Sequence, residues 1–205
     1  MADYLYADDG KIHTRYSELV RCTFGQLDRV VAERLGLVDR YTSDRLDFGT
    51  YRHEMWQEES EKTGMLPEIF GLPRKVDYIE NEFATEIVEN VIVHSRPDAV
   101  CVAKQAIGDY KTMSAKDYDT GVLMATKLYR GSKQLIFYAY QLGLHGIRIK
   151  KIIYLVEIWN EKMDAILGFH AIEIDINLSD IAKILPWTKD RIATLTVAVE
   201  RGIIA

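Results

Sequence analysis

DAVCVAKQAIGDYK, residues 98–111, is the stretch that decides the fold. Its valine, isoleucine and tyrosine residues favour extended structure, and each half has the length of a short strand. Lys104-Gln105 lies near the middle and predicts the turn between two antiparallel strands. The chain is therefore expected to fold around a β-hairpin with charged residues at its open end.

The position of the turn determines which residues face each other in this hairpin. With the turn in the middle of the stretch, Asp98 lies opposite Lys111, and Val100 lies opposite Asp109. Opposed residues share a face of the sheet, with Cβ atoms about 5 Å apart and diagonal neighbours about 7 to 8 Å apart. Asp98, Asp109 and Lys111 are therefore expected on one face, where the two carboxylates can share a divalent cation.

Such a group of residues favours metal-assisted hydrolysis of phosphodiester bonds. Hard, oxygen-ligated Mg²⁺ or Mn²⁺ activates water and offsets charge on the phosphate oxygens. Asp98 and Asp109 are the expected ligands, and the backbone carbonyl of Tyr110 is a further one. Lys111 is expected to orient the attacking water or to offset negative charge. The alternative is that Asp109 and Lys111 form an ordinary solvated pair at a strand end.

The segment before the hairpin predicts two helices. A long amphipathic helix is expected after Ser17, ending near Gly36, because apolar residues recur at helical spacing. These residues are Leu19, Val20, Phe24, Leu27, Val30, Val31 and Leu35. A second helix is expected to begin near Phe48 or Thr50 and to stop near Gly64.

A β-rich stretch from about residue 76 to residue 112 follows and is predicted as a meander of three short strand segments. Ser114 and Asp117 then resemble the start of a helix, and Gly131-Ser132 separates it from a second helix. Gly146 is expected to close that second helix.

The rest of the chain predicts two strands and a helical tail. IIYLVEIW, residues 152–159, is strongly apolar, and turn residues at 160–162 separate it from a second strand near AIEIDI. From Ser179 onward, two short helices through Ile204 are expected, with a break at Pro186-Trp187.

This order of elements predicts a mixed α/β fold in which helices cover a sheet. We expect a single domain over residues 1–205. Its parts are an N-terminal helical segment at 1–46, a catalytic core at 47–176 and C-terminal helices at 177–205.

Composition bounds the class of protein. With 205 residues and 48% hydrophobic content, the chain is long enough to bury one hydrophobic core but short for two separate domains. A net charge of −5 disfavours nonspecific coating of nucleic acid but permits a local basic groove. The sequence has no apolar run of about 18 residues and no signal-peptide pattern, so we expect a cytoplasmic protein without membrane contact. Cys22 and Cys101 are expected as buried hydrophobic residues.

Five motifs together resemble one family. FGTYRHE, YIENEF, HSRPDAV, IGDYKT and QLIFYAYQL follow one another within residues 48–142 in the order of the RecB-like PD-(D/E)XK nucleases. Ser95 stands where that family has a glycine. The resemblance implies a restriction-endonuclease-like core, with a central mixed sheet flanked by helices and an N-terminal helical segment.

The resemblance also implies roles for further residues. His53 matches the family's metal-binding histidine, which would be a third ligand and would suit Mn²⁺. Gln134 and Tyr138 match a motif that supports the site and touches DNA through an amide and an aromatic ring. The alternative for Tyr138 is an interior tyrosine whose hydroxyl finds a partner. An additional acidic residue is often present in the family, and three glutamates remain open for it: Glu80, Glu82 and Glu86.

The expected activity is that of a Mg²⁺- or Mn²⁺-dependent DNA exonuclease, with endonuclease activity on single strands left open. CRISPR-associated and helicase-linked relatives hold an iron–sulfur cluster with four cysteines, and two cysteines make this chain similar to cluster-free, stand-alone phage, viral or prokaryotic members. Four basic residues are candidates to line a phosphate-holding groove, and the alternative is that each is an ordinary solvated charge: Lys116, Lys127, Arg130 and Lys133.

The resemblance places such a protein in recombination, repair or viral genome processing, within the cytoplasm of the cell or of a viral host. The alternative is a catalytically inactive DNA-binding subunit with the same fold. DNA is the expected partner, and a homo-oligomer and a recombination or helicase partner remain open. Cleavage polarity and strand preference remain open as well.

Overall fold

The computed structural model describes residues 10–23, 26–34, 37–39 and 43–200. The chain divides into two compact units. The terminal unit draws on Met1–Tyr41, Glu82–Ser95 and Ser179–Ala205, and the central unit comprises Thr42–Asn81 and Arg96–Leu178. The expected catalytic core at residues 47–176 thus falls in the central unit, apart from residues 82–95.

Strands and helices alternate along the chain in a mixed α/β order. They are β1 (Ile12–Arg15), α1 (Tyr16–Arg21), α2 (Leu27–Arg34), α3 (Asp44–Thr63), β2 (Tyr78–Ile79), β3 (Phe83–Val88), β4 (Val91–Ser95), β5 (Ala99–Cys101), β6 (Ala106–Ser114), α4 (Tyr118–Arg130), α5 (Gln134–Leu144), β7 (Lys151–Trp159), β8 (Ile166–Asp175) and α6 (Leu178–Glu200). Two single turns of 3₁₀ helix lie at Glu68–Phe70 and Val102–Lys104. Within the described residues, no helix is both long and apolar enough to cross a membrane.

The central unit is built on a mixed five-stranded sheet in the order β2-β5-β6-β7-β8. β6 and β7 are parallel, and the other neighbours are antiparallel. The helices α4 and α5 form the crossover between the two parallel strands, which is the connection that parallel strands require. This arrangement confirms the expected α/β class with a central mixed sheet flanked by helices.

The helix α3 packs on one face of this sheet. Ser43 caps its start by accepting a hydrogen bond from the N–H of Leu46, and Gly64 ends it in a left-handed conformation with φ of 66°. Trp56 is buried and makes edge-to-face contacts with Phe70 and Phe169. The helix begins four to six residues earlier than the sequence predicted and ends where it predicted.

A buried ion pair also fastens α3 to the sheet. Arg52 donates from Nε to Oε2 of Glu157 at 2.8 Å and from Nη2 to Oε1 at 2.5 Å. Glu157 on β7 is fully buried, and the Arg52 guanidinium lies 5.4 Å from the ring centres of both Trp56 and Trp159. The ion pair therefore fixes the turn of α3 that also carries His53.

The helix α4 packs closely on the opposite face. A Cβ atom at Gly121 would lie 2.4 Å from Cγ2 of Ile158, which is shorter than real contacts allow. Glycine at this position therefore lets the helix approach β7. Asp117 caps the start of α4 by accepting from the N–H of Thr120 at 2.8 Å. The capping-box pattern predicted a start at Ser114, which instead ends β6.

The terminal unit contains a three-stranded sheet in the order β1-β4-β3, with β1 and β4 parallel. The predicted meander was therefore wrong, because β3 and β4 join one sheet while β2, β5 and β6 join another. Cys22 and Cys101 are both buried, as expected.

The predicted helices at the two ends of the chain also differ from the structure. The single N-terminal helix was wrong, because Cys22 leaves the helical conformation and separates α1 from α2. Phe24, Leu35 and Gly36 lie outside the described residues, as does Ile204. The expected break at Pro186 was wrong too, since α6 continues through it.

Candidate metal centre

The candidate site lies where β5 begins beside β6. The two strands pair from Cys101 opposite Ala106 to Ala99 opposite Gly108, whereas β6 continues to Ser114. Just past this pairing, the backbone N–H of Tyr110 donates to Oδ2 of Asp98 at 2.6 Å. The Asp98 carboxylate is therefore held against the edge of β6 by the backbone itself.

Three side chains converge at this point. Nε2 of His53 lies 3.0 Å from Oδ2 of Asp98 and 3.1 Å from Oε1 of Glu80. One ligand atom from each of the three residues lies within 4.8 Å of the other two. Because His53 comes from α3 and the acids from the ends of two strands, the site depends on how α3 is seated on the sheet.

Of the three glutamates that the sequence left open, Glu80 is the one that lies in this cluster. Its backbone adopts φ of 51°, a left-handed conformation that is uncommon for a residue with a side chain and often marks a functional position. Its N–H donates to the carbonyl of Asp98 at 3.3 Å. The other two candidates lie in the terminal unit, where Glu82 contacts His94 at 2.7 Å and Glu86 contacts Lys11 at 2.6 Å.

Asp109 and Lys111 lie next to this cluster on β6. Asp109 is almost fully buried, and its Oδ2 contacts Nζ of Lys111, which is half-buried. The two residues share a face of β6, as expected from strand alternation. The three-residue cluster itself does not include Asp109.

The predicted register of the hairpin was wrong by two positions. Val100 lies opposite Ile107 instead of Asp109. The cause is the turn, which spans residues 102–105 as a 3₁₀ turn closed by Gln105 in a left-handed conformation with φ of 50°. Continued by one step, the observed register sets Asp98 level with Asp109 instead of Lys111.

The carboxylates control the charge of His53. Burial lowers the pKa of His53, but the hydrogen bonds and charges of Asp98 and Glu80 outweigh this effect and raise it to about 10. In Asp109, burial raises the pKa to about 7, against the opposing effect of the Lys111 ammonium. The cluster therefore favours a positive charge at its centre, which the imidazolium supplies in the absence of a metal ion.

The donor set fits a divalent cation. One imidazole nitrogen and two carboxylate oxygens are suitable ligands for Mn²⁺, and the oxygens suit Mg²⁺ as well. Oε1 of Glu80 and Oδ2 of Asp109 are buried without a well-aligned hydrogen bond among the described residues, although each faces a cationic side chain. Buried oxygens of this kind are costly unless a cation or a donor meets them.

Two hydroxyl groups lock α3 onto β6 behind the cluster. Oγ of Ser60 and the hydroxyl of Tyr110 lie 2.6 Å apart, and both side chains are buried. The Tyr110 ring also meets the His53 ring edge to face, with centroids 5.8 Å apart. Tyr110 therefore positions Asp98 through its backbone and His53 through its ring.

The expected DNA-contacting residues lie on α5. Nε2 of Gln134 donates to the Tyr138 hydroxyl at 3.3 Å. Tyr138 is buried, so its ring offers little surface for stacking, whereas Gln134 is half-buried. The four basic residues expected near the groove are all exposed: Lys116, Lys127, Arg130 and Lys133.

Sequence reasoning missed Arg96. Its Nε lies 2.6 Å from Oε2 of Glu80, and 65% of its side chain is exposed. The signal was available in the SRPD motif, where Arg96 stands two residues before Asp98. Pairing of the strand YI with AVC would likewise have identified Glu80, because Ile79 lies opposite Ala99 and the next step brings Glu80 to Asp98.

The sequence matches no protein-family model and no curated protein. Solved structures do resemble the chain. A putative exonuclease from Eubacterium rectale has a TM-score of 0.57 at 11% identity, covering 100% of this chain and 88% of that one. A phage-related exonuclease from Haemophilus somnus 129PT has a TM-score of 0.50 at 10% identity, covering 92% and 97%.

An alkaline exonuclease from Laribacter hongkongensis has a TM-score of 0.53 at 12% identity, covering 91% of this chain and 89% of that chain. A second structure of that exonuclease is a complex with dAMP. At such low identities the likeness establishes the fold alone. The chain therefore has the fold of these exonucleases, a mixed α/β arrangement in which helices flank a central sheet, as the sequence predicted.

Proposed function

We propose that the chain is a divalent-metal-dependent deoxyribonuclease. The observation that carries this proposal is the convergence of His53, Glu80 and Asp98 beside Asp109 and Lys111. The fold shared with exonucleases supports it, and the dAMP bound by the Laribacter enzyme supports DNA as the class of substrate.

His53, Glu80 and Asp98 would hold the ion, and Asp109 and the Tyr110 carbonyl are the further ligands we propose. Bound Mg²⁺ or Mn²⁺ supplies a water of lowered pKa and stabilises negative charge on the phosphate. The backbone N–H of Tyr110 keeps the Asp98 carboxylate aimed at the cluster. The hydrogen bond between the Ser60 and Tyr110 hydroxyls fixes the position of α3 on the sheet, and with it the position of His53.

Lys111 acts as a fixed positive charge. Burial lowers the pKa of its ammonium, but Asp109 and Asp98 outweigh this effect, so the group stays protonated at neutral pH. A protonated amine cannot serve as a base. Lys111 therefore orients the attacking water by hydrogen bonding and offsets charge that develops on the phosphate oxygens.

The DNA strand would lie along the start of α5 and the end of α4. Gln134 supplies an amide at this surface, and Tyr138 orients that amide from below. Lys127, Arg130 and Lys133 are exposed at the junction of the two helices and would pair with phosphates. This assigns Tyr138 a supporting role and leaves the contact with DNA to Gln134.

Within this proposal the enzyme is an exonuclease that acts on DNA ends or single strands in recombination, repair or viral genome processing. No motif for an ATP-driven motor is present in the sequence, so unwinding would come from a recombination or helicase partner. A cytoplasmic site of action fits such a role.

Cleavage of end-labelled single- and double-stranded DNA tests the proposal, with Mn²⁺, Mg²⁺ or EDTA present. We expect cleavage with a metal ion and none with EDTA, and a loss of about 100-fold or more in Asp109→Ala and Lys111→Ala. His53→Gln should lose Mn²⁺ binding, while the matched change His145→Gln at an exposed position should retain it.

Metal-dependent cleavage that persists in both the Asp109 and the Lys111 variant would overturn the assignment of the site. Binding of DNA without cleavage under every metal would instead identify a catalytically inactive DNA-binding subunit with the same fold.

A further inference from the structure

We propose that Arg96 binds a phosphate group of the DNA strand held at the metal centre. The proposal rests on the proposed function and adds a substrate-binding residue to it. Arg96 lies on the loop between β4 and β5, two residues before Asp98. Because only one residue separates Arg96 from Asp98, its backbone lies close to the metal centre.

Arg96 is exposed in a run of otherwise buried residues. From Val93 to Cys101, all residues except Arg96 are buried. The Arg96 side chain is 65% exposed. Pro97 follows it and restricts the preceding backbone to extended conformations. The chain thus presents one cationic side chain at the mouth of a buried acidic cluster.

The contact with Glu80 leaves most of the guanidinium available. Its Nε lies 2.6 Å from Oε2 of Glu80, and 65% of the Arg96 side chain stays exposed. A guanidinium has five N–H donors in a planar fork, which matches two oxygens of a phosphate. Arg96 can therefore keep its contact with Glu80 and donate to a phosphate from its two terminal nitrogens.

Glu80 joins this cation to the metal centre. Its Oε1 faces His53, and its Oε2 faces Arg96. The two oxygens belong to one carboxylate, so a phosphate that meets the ion on one side lies within reach of Arg96 on the other. A role confined to neutralising Glu80 would not require an exposed guanidinium.

The charge balance of the site supports this role. With a divalent cation and neutral His53, the three carboxylates are balanced by the ion and Lys111 together. Arg96 then leaves the site with one net positive charge, and a phosphodiester group carries one negative charge. The site is therefore electrically matched to its substrate only when Arg96 is counted.

Steady-state cleavage by Arg96→Gln and Arg96→Lys tests the proposal, with Arg148→Gln as the control that removes an exposed arginine elsewhere in the central unit. We expect Arg96→Gln to raise KM for DNA at least tenfold, Arg96→Lys to lie between it and wild type, and Arg148→Gln to stay within twofold of wild type. Mn²⁺ affinity of the DNA-free protein, measured by calorimetry, should change less than twofold in all three.

Two results would overturn the proposal. One is an unchanged KM in Arg96→Gln, and the other is a loss of Mn²⁺ affinity as large as the loss for DNA, which would show that Arg96 only positions Glu80. Oligonucleotides with a 5′-phosphate or a 5′-hydroxyl distinguish the source of the phosphate. An effect on both indicates a backbone phosphate, and an effect on the first alone indicates the terminal one.

Failure of the proposed function gives a different result. If wild type cleaves no DNA with any metal, fluorescence polarisation of a labelled single-stranded oligonucleotide still measures binding. Weaker binding by Arg96→Gln than by Arg148→Gln would then support the role of Arg96, and equal binding would refute it.

Discussion

Replacement of Arg52 by methionine should destabilise the central unit strongly. The change removes the cation that pairs with Glu157, a fully buried carboxylate on β7. Methionine keeps a long apolar side chain between Trp56 and Trp159 and limits the loss of packing. The variant thus isolates the effect of leaving a charge buried without its partner.

Removing one partner of a buried ion pair costs about 3 to 5 kcal/mol, because the remaining charge is left uncompensated. For a chain of this size, each kcal/mol lowers the melting temperature by about 2 to 4 °C, so a fall of about 6 to 20 °C is expected. The double variant Arg52→Met with Glu157→Leu should recover stability, since an apolar pair in such a place is often neutral or stabilising by about 1 to 4 kcal/mol.

Urea unfolding followed by tryptophan fluorescence measures this effect. In a Trp187→Phe background, the remaining tryptophans are Trp56 and Trp159, and both lie beside the ion pair. Lys62→Met is the control, because it breaks an exposed pair with Glu58 that is worth about 0 to 1 kcal/mol. The reasoning is refuted if Arg52→Met unfolds like the control, or if the double variant is no more stable than the single one.

Three further outcomes are expected. Gly121→Ala should lower the free energy of unfolding by about 1 to 3 kcal/mol in urea titrations through its clash with Cγ2 of Ile158, and the loss should be smaller in an Ile158→Ala background, which lacks that atom. Ser60→Ala should cost about 1 to 3 kcal/mol by leaving the Tyr110 hydroxyl buried and unpaired, whereas addition of Tyr110→Phe should restore stability. Mn²⁺ affinity measured by calorimetry should rise about tenfold per pH unit between pH 7 and 9, because one proton must leave His53, whose pKa is raised to about 10; an affinity independent of pH would contradict this.

The sequence could predict that Asp109 and Lys111 share a face of β6, because side chains along a strand alternate between the two faces. The turn at residues 102–105 is longer than the two-residue turn that the sequence suggested, and it shifts the pairing by two positions. A shift of two leaves each side chain on its original face, whereas a shift of one would have reversed them all. The conclusion about Asp109 and Lys111 therefore survived an error in the register.

The identity of the third acid was not predictable from the sequence in the same way. Glu80, Glu82 and Glu86 have the same chemistry and lie within seven residues. Their separation depends on a left-handed backbone at Glu80 and on the strand pairing of its neighbours. Both depend on tertiary contacts.

Helix ends that carry no glycine or proline could not be predicted from the sequence either. The chain leaves the helix at Cys22, although the apolar spacing continues past it. Conversely, Pro186 stands inside a helix that continues to Glu200, although its ring nitrogen has no hydrogen to donate to the carbonyl four residues earlier.

The hydrogen bond between Glu80 and Asp98 has a consequence for protein engineering. It joins the two points at which the chain leaves the central unit and returns to it, on either side of the β3–β4 hairpin. The tip of that hairpin is the exposed pair Glu89-Asn90. Doubling the length of a loop costs only about 0.6 kcal/mol, so a peptide tag or reporter inserted at this tip should leave the spacing of the proposed metal ligands intact.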